Sequence, residues 1–145
     1  MKTNDKLRIV IDTNVLLVSI SSRSKYHWLF KKMLGQEFEV SISNEILTEY
    51  DEIISNKYNQ FVSKNVIRTL LTLPNVHQTE IYYNWNLISN DEDDNKFVDC
   101  FLASRANIIV TNDKHFNILK KIEFPKFTVM TIDEFENFLL SYREE

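Results

Sequence analysis

Glycine is scarce in this chain, because Gly35 is the single glycine among 145 residues. Loops that cradle phosphates need several glycines, since glycine provides the positive φ angles and the close backbone approach that such loops use. The sequence therefore excludes a Walker A loop and a dinucleotide-binding fingerprint. Cysteine is just as scarce, and Cys100 has no second cysteine with which to form an intramolecular disulfide.

Long apolar runs are also missing from the sequence. The longest ones, such as residues 15–18 and 108–110, fall far short of the roughly 20 residues that a membrane-spanning helix needs. No basic stretch followed by an apolar run opens the chain as a secretory signal would. Together with the lone cysteine, these absences predict a cytoplasmic protein that makes no contact with a membrane.

A basic excess is absent too, since the formal net charge is −4 and the isoelectric point is near 5.4. This balance argues against a simple module that holds nucleic acid by neutralising phosphates alone. It does not argue against a nuclease. An acidic metal site carries its own negative charge until a divalent cation binds and inverts the local field.

The remaining composition is that of an ordinary globular domain, with a hydrophobic fraction of 43% over 145 residues. We expect residues 1–145 to form one domain. Short β-rich runs alternate with stretches of helical periodicity, which predicts a three-layer α/β/α fold with a central parallel sheet. The predicted strands are 7–11, 38–42, 107–111 and 127–130, and the predicted helical segments are 14–34, 44–57, 61–73, a stretch around 97–102 and one starting at 132. Residues 75–87 could be a strand or a loop.

Two aspartates lie at or just past the ends of predicted strands. Asp12 follows the first strand and Asp113 follows the strand at 107–111. In open parallel sheets, ligands bind beyond the carboxyl ends of the strands, so both carboxylates are expected at the same edge. Either residue could instead be an ordinary helix N-cap, because aspartate is a preferred cap and helical stretches follow both positions.

Helix phase separates the other acidic residues. At about 100° per residue, Glu49 borders the apolar face of its helix, whereas Glu45 and Glu52 lie towards solvent. Asp94 lies on the apolar stripe of the predicted helix around 97–102. Asp99 falls about 140° away from Asp94, which favours a solvated residue or an outer partner of the site.

Four carboxylates held together repel one another unless a cation joins them. A hard divalent cation with a preference for oxygen ligands, Mg²⁺ or Mn²⁺, fits Asp12, Glu49, Asp94 and Asp113. No histidine and cysteine set has zinc spacing, because the three histidines are scattered and Cys100 is expected in the core. The charges at 91–93 are interpreted as loop charges.

Four segments resemble, in order, the motifs of the PIN-domain family: residues 9–16, 43–50, 93–97 and 110–116. The likeness covers nearly the whole chain and is greatest to the subgroup with an Asp-Asp-Asn-Lys-Phe motif. It implies a PIN-like fold and a Mg²⁺- or Mn²⁺-dependent endoribonuclease whose ligands are Asp12, Glu49, Asp94 and Asp113. In that subgroup, an acidic residue at the position of Asp99 assists metal binding.

The resemblance also implies partners and auxiliary residues. PIN domains are often the toxin of a toxin–antitoxin pair in which the antitoxin inserts a segment near the acidic site, and dimerisation is expected by family analogy alone. Asn14 and Thr111 could orient water, a ligand or a phosphate. Lys96 and Lys114 are the candidates for gripping the RNA backbone.

Two other functions remain open at this point. A phosphatase or phosphoacceptor domain would also use an aspartate after the first strand, but the dehalogenase-like phosphatases want a second aspartate at the place of Asn14. A non-catalytic protein-binding scaffold could share the PIN-like fold. Binding of Mn²⁺ would distinguish a nuclease from such a scaffold.

Overall fold

A computed structural model of the chain describes residues 6–88 and 92–144, without the side chains of residues 92, 143 and 144. Its sheet has five strands, all parallel, in the order β3-β2-β1-β4-β5. The predicted parallel sheet and the flanking helices are therefore confirmed. The strands are β1 (Arg8–Ile11), β2 (Glu39–Ile42), β3 (Val76–Gln78), β4 (Ile108–Val110) and β5 (Val129–Met130).

Helices occupy the connections between the strands. The predicted stretch at 14–34 is two helices, and the acidic segment before α5 ends in a short 3-10 turn, Glu92–Asp94. A second, longer 3-10 segment, Lys114–Lys121, follows β4. The α-helices are α1 (Thr13–Ile20), α2 (His27–Leu34), α3 (Asn44–Lys57), α4 (Gln60–Thr72), α5 (Asn95–Ser104) and α6 (Ile132–Glu144).

Side-chain caps fix where several helices begin. Ser43 accepts a hydrogen bond of 3.3 Å from the amide of Ile46, which starts α3 directly after β2. A capping box starts α6, because Thr131 Oγ1 accepts from the amide of Glu134 and Glu134 Oε1 accepts from the amide of Thr131. These caps set the phase of α3 and α6 against the sheet.

The core lies between the sheet and its helices. The central strands β1, β2 and β4 are almost fully buried, as strands covered on both faces should be. Cys100 is buried in this core, as expected. Phe135 of α6 packs edge-to-face on Phe38 and stacks on Trp28 of α2, so the helices after β1 and β5 meet on one side.

The segment left open at 75–87 divides into the short strand β3 and a stretch without regular structure. Asn75, just before β3, is buried and donates through Nδ2 to the carbonyl oxygens of Met33 and Phe38. These two bonds hold the edge strand against the rest of the sheet. Residues 90 and 91, part of the predicted acidic loop, lie outside the described residues.

No helix within 6–88 and 92–144 has the length and apolar character needed to cross a membrane.

Candidate active site

The strand order puts the residues after β1 and β4 side by side. Ile11 and Val110 are paired in the register of the two strands, and the amide of Asp12 donates to the carbonyl of Val110 at 3.0 Å. Asp12 and Thr111 therefore extend from the same edge. Thr111 Oγ1 donates to Asp12 Oδ2 at 2.7 Å and accepts from the amide of Asp113 at 3.0 Å.

Asp12 is a buried carboxyl group, with 5% of its surface exposed. Burial raises its pKa to about 6, although the hydrogen bond from Thr111 acts in the opposite direction. The negative charges of Asp113 and Glu49 contribute to this rise in the pKa of Asp12, as a smaller effect than burial. Asp12 is the N-cap residue of α1 by position, and a hydrogen bond with the backbone of Thr13 lowers its pKa, but its side chain makes no capping bond to the later amides of the helix.

Glu49 reaches the site from α3, as its helix phase predicts. It is half-buried, whereas Glu45 and Glu52 are exposed. Its Oε1 atom accepts from Lys96 Nζ at 2.6 Å, and its Oε2 atom accepts a short hydrogen bond from the hydroxyl of Thr13. Thr13 follows Asp12 directly, so this hydroxyl connects the first and second acidic motifs. Sequence reasoning missed this contact.

Asp94 and Asp113 form the other half of the site together with a histidine. Asp94, the residue directly before α5, is buried, and Asp113 Oδ1 lies 3.3 Å from His115 Nδ1. One ligating atom from each of Asp94, Asp113 and His115 lies within 4.8 Å of the other two. Asp113 also caps the 3-10 segment by accepting from the amide of His115, so its cap role and its site role coexist.

Sequence reasoning had treated His115 as one of three scattered histidines. The signal that could have found it was its position two residues after Asp113, in the turn that leaves the strand edge. Such a turn brings the backbone amide of residue i+2 to the carboxylate of residue i. The side chain of residue i+2, here the imidazole of His115, then lies close to the same carboxylate.

Asp99 is the clearest correction to the helix-phase interpretation. It is buried rather than solvated, with 5% of its surface exposed, and its Oδ1 atom accepts from the amide of Trp85 at 3.0 Å. The prediction from helix phase was wrong about exposure because the irregular segment after β3 covers this side of α5. Burial raises the pKa of Asp99, and the charge of Glu45 adds to that effect.

The two lysines predicted to bind the RNA backbone differ in their surroundings. Lys96 is half-buried and its ammonium group is bonded to Glu49, so it is part of the carboxylate network. Lys114 is exposed at the start of the 3-10 segment, beside Asp113. Asn14 is exposed in the first turn of α1. Its suggested role as an orienting group stays a prediction.

An open cleft of about 470 Å³ adjoins Glu49 and Lys96. Its other walls come from the exposed side of α3 and from the acidic turn before α5; they are Asn44, Glu45, Thr48, Glu52, Ile53 and Asp93. Glu49 therefore lies beside a surface that is open to a large ligand. Asp93, predicted to be a loop charge, is exposed here.

The donor set suits a divalent cation. Asp12, Glu49, Asp94 and Asp113 offer carboxylate oxygens from four different elements, and hard cations such as Mg²⁺ and Mn²⁺ prefer oxygen ligands. The buried position of Asp12 fits this use, since a bound cation would favour the ionised carboxylate that burial opposes. Thr111 holds Asp12 in the way that outer hydrogen bonds orient metal ligands.

A family comparison agrees with this architecture. The family model described as PIN domain matches residues 8–115, which include all four carboxylates. The chain belongs to the PIN-domain family, whose members are typically nucleases.

A curated relative and two solved structures are similar over most of their length. An uncharacterized protein of Methanocaldococcus jannaschii, MJ1680, is 33% identical, with 92% of this chain and 95% of the relative covered. VapBC2 from Rickettsia felis, solved bound to a DNA fragment from its promoter, has a TM-score of 0.60 at 15% identity, covering 86% of this chain and 98% of that one. Mycobacterium tuberculosis VapC20, described as a toxin that cleaves the sarcin–ricin loop, has a TM-score of 0.55 at 14% identity, covering 79% and 97%. At 15% and 14% identity, the likeness to these two structures shows the fold of this chain and nothing more.

Proposed function

We propose that this protein is a metal-dependent endoribonuclease that hydrolyses RNA phosphodiester bonds with Mg²⁺ or Mn²⁺. The observation that carries the proposal is the arrangement of acidic residues at the carboxyl edge of the sheet. Asp12 is coupled electrostatically to Glu49 and Asp113, and Asp113 shares a cluster with Asp94. Glu49 also lines an open cleft, which supports access of a large substrate to this edge of the sheet.

Each part of the network has a role in this proposal. Asp12, Glu49, Asp94 and Asp113 hold the cation, which when bound lowers the pKa of water and stabilises charge that develops on the phosphate. Thr111 fixes the orientation of Asp12 and of the turn that carries Asp113. Without a cation, the Lys96 ammonium balances the charge of Glu49. Lys114 is the exposed cation that is suited to an RNA phosphate.

A toxin role is the finer part of the proposal. One structural neighbour is VapBC2, and another, VapC20, is described as a toxin that cleaves the sarcin–ricin loop. We propose that this chain likewise works in the cytoplasm with an antitoxin partner that covers the acidic site, and that it dimerises as PIN domains often do. Membership in the PIN-domain family gives no support to the phosphatase alternative.

Cleavage of a labelled panel of single-stranded RNAs tests the enzyme proposal. Wild type, Asp12→Asn and Asp94→Asn are compared in Mn²⁺, Mg²⁺ and EDTA, with Glu123→Gln as a control that removes one exposed negative charge elsewhere. We expect cleavage with either metal and none in EDTA. Both site variants should lose at least about 100-fold in rate, since each removes a ligand of the metal on which the chemistry depends, whereas the control should match wild type.

Two results would contradict parts of the proposal. If folded wild type binds neither Mn²⁺ nor Mg²⁺ and cuts no RNA, the non-catalytic scaffold is correct. If Asp12→Asn retains full metal-dependent cleavage, the assignment of the site is wrong even though the protein is a nuclease.

A further inference from the structure

We propose that His115 contributes its Nδ1 atom as a nitrogen ligand to the cation held by Asp94 and Asp113, and that this ligand makes the site prefer Mn²⁺ to Mg²⁺. The inference rests on the proposed metal-dependent function and deepens it. The four carboxylates supply only oxygen, so a nitrogen ligand changes the chemistry of the site.

The distances are those of groups that can share one coordination sphere. His115 Nδ1 lies 3.3 Å from Asp113 Oδ1 and 3.8 Å from Asp94 Oδ2. With metal–ligand bonds of about 2.1 Å at near-octahedral geometry, neighbouring ligand atoms lie about 3 Å apart and opposite ones about 4.2 Å. The three atoms therefore need only small side-chain rotations to contact a common ion.

The backbone and the core hold His115 in this position. Its amide donates to Asp113 Oδ1 at 2.9 Å, so the aspartate and the imidazole belong to one turn. The next residue, Phe116, is fully buried and packs edge-to-face on Phe97, with ring centroids 6.4 Å apart. Phe97 lies three residues after Asp94 on α5. This aromatic contact thus joins the two elements that carry Asp94 and His115.

The exposure of His115 fits a ligand rather than a core residue. Its side chain is 49% exposed, while Asp94 behind it is 11% exposed. The imidazole therefore lies between a buried carboxylate and solvent, where it can close a coordination sphere that still admits water or a phosphate. His115 is not needed to fill the core, because Phe116 and Leu119 anchor the 3-10 segment.

A nitrogen ligand has a consequence for metal choice. Mg²⁺ demands oxygen ligands in near-ideal octahedral geometry and gives up its waters reluctantly. Imidazole binds divalent transition metals more readily, and affinities of such sites rise from Mn²⁺ along the first-row series. The wild-type protein should therefore bind Mn²⁺ more tightly than Mg²⁺, and the difference should depend on His115.

Electron spin-echo spectroscopy of the full chain loaded with Mn²⁺ tests the ligand directly. We expect modulation from a directly bound nitrogen in wild type and its loss in His115→Gln. His77→Gln is the matched control, since His77 lies on β3 and its Nε2 atom is 2.6 Å from Glu39 Oε1. Titration calorimetry should show a Kd for Mn²⁺ raised about 10-fold or more in His115→Gln, with that for Mg²⁺ changed less than about 3-fold.

Several outcomes would overturn the inference. Mn²⁺ bound to wild type without nitrogen modulation excludes the imidazole as a ligand, and this measurement needs no variant to fold. Nitrogen modulation that persists in His115→Gln, or equal losses for the two metals, also contradicts it. Metal-dependent RNA cleavage without nitrogen coupling would reject the role of His115 as a ligand and leave the proposed function intact. Failure of the folded protein to bind any divalent cation would reject the proposed function as well.

Discussion

Tyr50 donates its hydroxyl to the carbonyl oxygen of Ile11 through a short, buried hydrogen bond. Tyr50 comes directly after Glu49, and Ile11 comes directly before Asp12. The bond therefore fixes the distance between α3 and the end of β1, and with it the distance between two proposed metal ligands. Thr13, the first residue of α1, donates to Glu49 and so connects α3 with the helix that follows β1.

Replacing Tyr50 by phenylalanine tests whether this bond positions the site. Tyr50→Phe keeps the buried ring but leaves the carbonyl of Ile11 without this donor, which should cost about 1–2 kcal/mol of unfolding free energy. Cleavage at saturating metal should fall by about 10-fold, because Glu49 and Asp12 are no longer held together. Tyr58→Phe, at the exposed end of α3, is the control. Loss of stability with unchanged cleavage would limit Tyr50 to a structural role.

Much of the site was predictable from sequence because it depends on local patterns. Strand ends located Asp12 and Asp113, and helix phase separated Glu49 from its exposed neighbours Glu45 and Glu52. These inferences use only the period of a helix and the direction of parallel strands. The parallel order of the sheet followed from the same alternation of strands and helices.

The features that the sequence did not reveal have a different cause, since each depends on contacts between distant segments. Asp99 is buried because the chain around Trp85 crosses its helix, and helix phase carries no information about a covering loop. Lys96 faces Glu49 from another helix, so its ion pair is invisible in sequence. His115 joins the acidic cluster through a turn that is held in place by the packing of Phe116 on Phe97, a contact between distant segments.

Thr111 is predicted to be a positioning residue because its hydroxyl connects Asp12 with the amide of Asp113. Thr111→Val keeps the shape of the side chain and removes both hydrogen bonds, so metal affinity and cleavage should each fall about 10- to 100-fold. Thr111→Ser restores the hydroxyl and should recover most of both. A Ser variant as impaired as the Val variant would show that packing of the methyl group, rather than the hydrogen bond, matters.

Lys96 and Lys114 should have separable effects. Lys114→Met removes an exposed charge, so RNA affinity should weaken and the salt dependence of binding should decrease by about one ion, with little change in turnover. Lys96→Met removes the partner of Glu49, so its main effect should be on metal affinity rather than on the salt dependence of RNA binding. Filter binding at several salt concentrations and metal titrations distinguish the two. Identical profiles for both variants would contradict the assignment.

Asp99 is predicted to hold the segment around Trp85 rather than the metal. Asp99→Asn retains an oxygen that can accept from the amide of Trp85, so Mn²⁺ affinity and folding should change little, by less than about 3-fold and 1 kcal/mol. Asp94→Asn should lose most of the affinity in the same assay. A loss of Mn²⁺ binding in folded Asp99→Asn comparable to that in Asp94→Asn would instead make Asp99 a ligand, as the family resemblance suggests.

The raised pKa of Asp12 predicts a pH dependence of stability in metal-free protein. Below about pH 3 the carboxyl group is protonated in both the folded and the unfolded chain, so it contributes no difference. As pH rises towards 6, the unfolded chain ionises first, because burial raises the pKa in the folded state to about 6. The folded state therefore loses stability over this window, by at most roughly 3 kcal/mol above pH 6.

Asp12→Asn removes the ionisable group and should remove this loss. In EDTA, the variant should gain unfolding free energy relative to wild type as pH rises from 4 to 7, while Glu123→Gln should follow the wild-type profile. Urea denaturation at a series of pH values measures the difference, and parallel profiles for Asp12→Asn and wild type would refute the buried ionisation. Because a bound cation favours the ionised carboxylate, saturating Mn²⁺ at pH 7 should reverse the order and make wild type the more stable protein.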